Sequence, residues 1–211
     1  MAAISDGFAA AQVALIGLIL LASGWNKEAA GGLKARHGAA ALAVLCALSP
    51  VWIPLGSKLV VNGAAIALVF FALWTLQRHI RASDRLYLLG CAFLLGFLLI
   101  WLDSLFLAAP QLVLARSGWD AALIGGALAA LLSLRAPAQL VILTGAATLV
   151  SLYPLLADSW QGPVAVGDAA GWDRLALAAA ACRLSSLAIA AAARQLARLL
   201  AGRERQPERE V

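Results

Sequence analysis

The sequence predicts an all-α fold: a polytopic transmembrane helical bundle of seven helices, with the N-terminus outside and the C-terminus inside. Three observations carry that prediction. Of the 211 residues, 63% are hydrophobic and 13% charged, whereas soluble domains are about half apolar and about a quarter charged. The apolar residues gather into runs suited to helices crossing a hydrocarbon core of ~30 Å. Basic residues fall on alternate connections between those runs, as the positive-inside rule requires.

The first run, Phe8–Ser23, lacks the positive leading segment of a secretory signal peptide, so it is expected to remain as a helix. Ala39–Leu55 and Leu59–Gln77 follow, with Ser49–Pro50 marking a kink. Leu86–Ala109 is long enough to span alone and carries Asp103. Ala121–Leu134 is the shortest run and would reach only ~21 Å. It is retained because Arg116–Asp120 and Arg135–Pro137 punctuate both of its ends, and because the charge alternation fails without it. Ala138–Ala157 and Leu175–Leu200 complete the seven, with a second kink at Tyr153–Pro154. Residues 1–201 therefore read as one transmembrane domain, and residues 202–211 as a charged, disordered cytoplasmic tail.

Charge placement fixes the orientation. With the N-terminus outside, Lys27, Lys34, Arg36, Arg78, Arg81, Arg85, Arg135, Arg194, Arg198, Arg203, Arg205 and Arg209 lie inside. Lys58, Arg116 and Arg174 lie outside, and Arg183 sits within a helix. An even number of spans would scramble this asymmetry. Trp52, Trp119, Trp160 and Trp172 fall near outer helix ends and Trp25 near an inner one, where indoles favour the interface.

Composition also excludes several chemistries. The net charge of +5 is spread between apolar runs and forms no nucleic-acid patch. Cys46, Cys91 and Cys182 lie inside apolar runs without metal or redox spacing and read as small packing residues. His37 and His79 fall in connections without a second ligand at metal spacing. No hydrolase, metalloprotease or phosphate-loop motif occurs, so no catalytic residue, metal or cofactor is expected. The connection from Asp158 to Asp173 reads as a solvated loop resting on the membrane surface.

Two ionisable residues stand deep in apolar runs, Asp103 and Arg183. Such groups are costly in a bilayer and mark either a functional pathway or an interhelical contact. Asn62, Ser104, Ser151 and Tyr153 fall in the same outer half of the bundle. Together these six form the candidate intramembrane polar cluster, read either as an outward-opening pocket or as glue between helices. Ala178, Cys182, Ser186 and Ala190 recur every four residues, and Gly125–Gly126 with Ala122 and Ala130 offer a matching small surface. Gly90 and Gly96 relieve crowding on the fourth helix.

L-A-S-G-W ending at Trp25, V-V-N-G-A at Val60–Ala64, R-A-P-A-Q-L at Arg135–Leu140 and A-C-R-L-S-S-L around Arg183 resemble the YphA-like family of small membrane proteins from spore-forming Firmicutes. The resemblance implies a polytopic protein of the bacterial cytoplasmic membrane and carries over no activity or site residue. The expected function is a non-enzymatic scaffold or lipid-contacting protein of the envelope or of sporulation. The alternative is a small transporter or channel with an outward-facing pocket around Asp103 and Arg183. Expected partners are the lipid bilayer, anionic lipids at the cytoplasmic face met by Arg194 and Arg198, and a membrane-protein partner or a second copy of the chain.

Overall fold

Apolar runs become helices because a helix satisfies its own backbone polar groups where water is absent. The computed structural model describes residues 6–24, 35–156 and 162–204. Among them are seven α-helices: α1 (Phe8–Ala22), α2 (Ala35–Leu48), α3 (Gly63–His79), α4 (Ala82–Ala108), α5 (Ser117–Leu132), α6 (Ala136–Leu152) and α7 (Ala169–Glu204). Three segments are long and apolar enough to cross a membrane: Ala82–Ala108, Ala136–Leu155 and Ala169–Leu199. The other helices contribute shorter apolar stretches of 10–17 residues. Trp25, Lys27, Lys34 and Trp160 lie outside the described residues, as do Asp158 and the tail from residue 205. The segment expected to be a disordered tail from residue 202 is still helical through Glu204.

The fold is not purely helical. β1 (Trp52–Pro54), β2 (Leu59–Asn62) and β3 (Val164–Val166) form one sheet in the order β1-β2-β3. β1 runs antiparallel to β2, with Ile53 opposite Val61, and β3 runs parallel to β2, with Ala165 opposite Val60. The strands consume the expected end of the second run and the expected start of the third. They also replace part of the expected solvated loop between Asp158 and Asp173. Their cause is local: Val60, Val61, Val164 and Val166 are β-branched, and Gly56 at φ 96° turns the chain between β1 and β2. Leu152 and Ala65 pack on the buried face of Val61, Val164 and Val166.

Successive helices alternate in direction, so the sheet, the N-termini of α1, α3, α5 and α7, and the C-termini of α2, α4 and α6 share one end of the bundle. The most extensive interfaces join α5 to α7 and α4 to α6; α1 rests on α7 and α2, and α3 on α6 and α2. One apolar core links Cys91 and Leu95 of α4, Ala129 and Ala130 of α5, Ile142 and Ala146 of α6, and Ala178 and Cys182 of α7. A methyl added at Gly126 would run into the Ala178 carbonyl, so the small face of α5 is what lets α7 approach. Gly96 likewise accommodates Leu149, whereas Gly90 faces open space and relieves no crowding. Cys91 and Cys182 are buried, but Cys46 is exposed and so is not a core residue. Large apolar side chains cover the outside, among them Phe70, Leu86, Leu94 and Leu131. That surface suits hydrocarbon rather than water.

Candidate functional site

Asp103 lies near the C-terminus of α4, and its partner is Arg174, not Arg183. The guanidinium donates to Asp103 Oδ2 at 2.7 Å. α5 stands between the two helices, and Arg174 crosses its first turn at Gly118, where any Cβ would collide with the guanidinium. Arg174 is available because α7 begins at Ala169 and not at Leu175. Asp168 starts the helix by accepting from the Gly171 N–H at 2.9 Å, after a turn at Gly167 with φ 83°. The second oxygen of Asp103, Oδ1, is buried with no hydrogen-bond partner among the described residues.

Arg183 belongs to a different cluster, nine residues or ~13 Å farther along α7. It donates to Gln139 Oε1 at 3.2 Å. The Gln139 amide nitrogen donates to Ser186 Oγ at 2.6 Å and to the Ser133 carbonyl at 2.7 Å, while Ser186 donates to the Cys182 carbonyl at 2.7 Å. Gln139 is 2% exposed and Ser186 6%. This network ties the α5–α6 connection, α6 and α7 together at the end away from the sheet.

The remaining candidates lie toward the sheet-bearing end. Asn62 is buried and caps α3: its amide donates to the Ser49 carbonyl at 2.7 Å, and its oxygen accepts from Ala64 N–H at 2.8 Å. It fastens the end of α2 to the start of α3. Ser104 turns back on its own helix and donates to Ile100 O at 3.0 Å. Ser151 is half-buried at the end of α6, and Tyr153 is exposed in the following 3-10 turn, Tyr153–Leu155. Among the described residues no hydrogen bond joins Ser151 or Tyr153 to Asp103.

Asp173 was legible only as one of three acidic residues in a loop, yet it is 1% exposed. Its two oxygens accept from Gly7 N–H at 2.9 Å and Ala10 N–H at 2.7 Å, capping α1 from the far end of the chain. Asp6 and Arg116 pair at 3.0 Å on the surface nearby. Among the described residues no group of three or more His, Cys, Asp or Glu is placed to hold a metal ion.

An apolar exterior around helices joined by buried polar contacts is the anatomy of a membrane protein, and the sequence agrees over most of its length. Residues 33–209 match the family model described as YphA-like integral membrane protein. The chain belongs to this family. Comparison with curated proteins and with solved structures gives no match. In this YphA-like chain the matched residues include both polar clusters and all three strands, while α1 lies outside the match.

Proposed function

We propose that this YphA-like protein is a non-enzymatic scaffold of the bacterial cytoplasmic membrane, acting in the envelope or in sporulation. In this reading residues 1–201 form a single seven-span domain, with the N-terminus outside and the C-terminus inside. The observation that carries it is that three sets of polar groups in the bundle join one helix to another. Asp103 engages Arg174, Gln139 engages Ser186 and Arg183, and Asp173 engages α1. Groups used this way hold an arrangement in place rather than process a substrate. The strands support seven spans, because an extended residue rises ~3.3 Å against 1.5 Å in a helix, so β2 lengthens the reach of α3. Chemical cross-linking in native membranes tests the role. A discrete complex containing this chain is expected, and a strictly monomeric, partner-free chain would overturn it.

One observation favours a second reading, a small proton-coupled transporter: the unpartnered Oδ1 of Asp103 beside an arginine. Proton flux into liposomes containing the purified protein separates the two. The scaffold leaves flux at the level of empty vesicles; the transporter raises it and loses it in Asp103→Asn.

A further inference from the structure

At the end away from the sheet, α3 turns into α4 at a corner whose chemistry the bundle does not use. Phe70, Leu73, Trp74 and Gln77 line an open groove of about 430 Å³ along one face of α3. These four follow the i, i+3, i+4, i+7 spacing of a single helix face, and Phe70 is 69% exposed. The groove is therefore turned outward, toward hydrocarbon. At its mouth the Arg78 guanidinium lies over the Trp74 ring, 5.9 Å from the centroid, and Phe71 braces that ring edge-on at 6.4 Å.

Three features concentrate positive charge there. Arg78 and Arg81 are both exposed, and neither pairs with a carboxylate among the described residues. Arg85 is occupied differently: it donates to the Gln77 and Ile80 carbonyls at 2.7 and 3.3 Å and so neutralises the C-terminus of α3. Finally, α4 begins at Ala82 with no side chain capping its first amides, which leaves the positive end of a 27-residue helix facing the same corner. The acidic residue of this turn, Asp84, accepts from Ser83 at 3.1 Å.

We infer that the α3–α4 corner binds one anionic phospholipid, its phosphate held by Arg78 and Arg81 and an acyl chain lying in the Phe70–Leu73–Trp74 groove. The eight helical steps from Phe70 to Arg78 rise ~12 Å, so apolar lining and charge stand at the depths of an acyl chain and its headgroup. An amphipathic ring between them is the usual interfacial arrangement. Two exposed guanidiniums that pair with no carboxylate among the described residues favour a net negative headgroup over a zwitterionic one. This inference goes beyond the proposed scaffold role and requires only that the bundle lie in a bilayer.

The test uses the full chain, purified and delipidated in detergent, with added phosphatidylglycerol or phosphatidylcholine and retained lipid counted by native mass spectrometry. Phosphatidylglycerol should be retained on the order of tenfold better. Arg78→Gln with Arg81→Gln should reduce it to the phosphatidylcholine level, while Lys58→Gln, an exposed cation at the sheet-bearing end, should leave it unchanged. Equal retention of both lipids, or an equal loss in Lys58→Gln, would overturn the site. So would competition by glycerol phosphate at the same concentration, since the groove would then contribute nothing. A second measurement needs no arginine variant: phosphatidylglycerol brominated on its acyl chain should quench the wild type more than Trp74→Phe, and equal quenching refutes the placement. Cross-linking in native membranes with the wild type reads the scaffold role separately, so either proposal can fail alone.

Discussion

At the sheet-bearing end of α7, Arg174 reaches Asp103 at 2.7 Å across the first turn of α5. Some 18 Å along the same helix, Ser186 meets Gln139 at 2.6 Å in a bond between two neutral groups. The charged pair keeps access to the surroundings, with side chains 38% and 23% exposed for Arg174 and Asp103. The neutral pair is sealed within the bundle. The difference follows from desolvation: a full charge loses several kcal/mol on burial, roughly, while an amide or hydroxyl that finds a partner loses little. Arg183 fits between the two cases, since it is half-buried and its long side chain meets the neutral Gln139. Asp173 shows what a fully buried charge requires: it is 1% exposed and accepts from two backbone N–H groups of α1.

The largest effect should come from removing what both clusters need, the close approach of α5 and α7. Gly126→Leu forces a side chain against the Ala178 backbone and should cost about 3 kcal/mol, read as a lower melting temperature in detergent. Next comes Asp103→Ala, which strands Arg174 and should cost about 2 kcal/mol, less than a fully buried pair because both groups are partly exposed. The double variant with Arg174→Ala should cost less than the two single changes added together. Gln139→Leu removes the acceptor for Arg183 and the partner of Ser186, and should cost about 1 kcal/mol. A larger loss for Gln139→Leu than for Asp103→Ala would reverse the comparison. The smallest global effect belongs to Asp173→Asn. It replaces one of the two acceptors at the start of α1 and should cost about 0.5 kcal/mol, detected as faster proteolysis at α1 with little change in melting.

Helix number and order were legible because long apolar runs separated by charges leave few other readings. The strands were not, since short apolar stretches such as Leu59–Asn62 and Val164–Val166 suit a helix end as well as a strand, and only the pairing of β2 with β3 decides it. Asp103 was legible as a costly charge; its partner was not, because in the sequence Arg174 stands in a connection between apolar runs. The Asp168 cap following Gly167 is the signal that would have moved the helix start and brought Arg174 inside. Gln139 escaped notice because a neutral amide near a helix start carries no formal charge to stand out. Asp173 escaped because nothing local ties it to a helix that begins more than 160 positions earlier.

The sheet imposes an order on biosynthesis. β2 can pair with β1 as soon as both have been made, but its other edge waits for β3, about a hundred residues later, so closure of a long chain precedes the reward. The last helix then satisfies several needs at once: Arg174 for Asp103, Asp173 for α1, and Ala178 for the small face of α5. A nascent chain halted after α6 would leave an open strand edge, an uncapped helix and a stranded carboxylate together. The folded protein pairs all three: β3 covers the free edge of β2, Asp173 caps α1 and Arg174 holds Asp103.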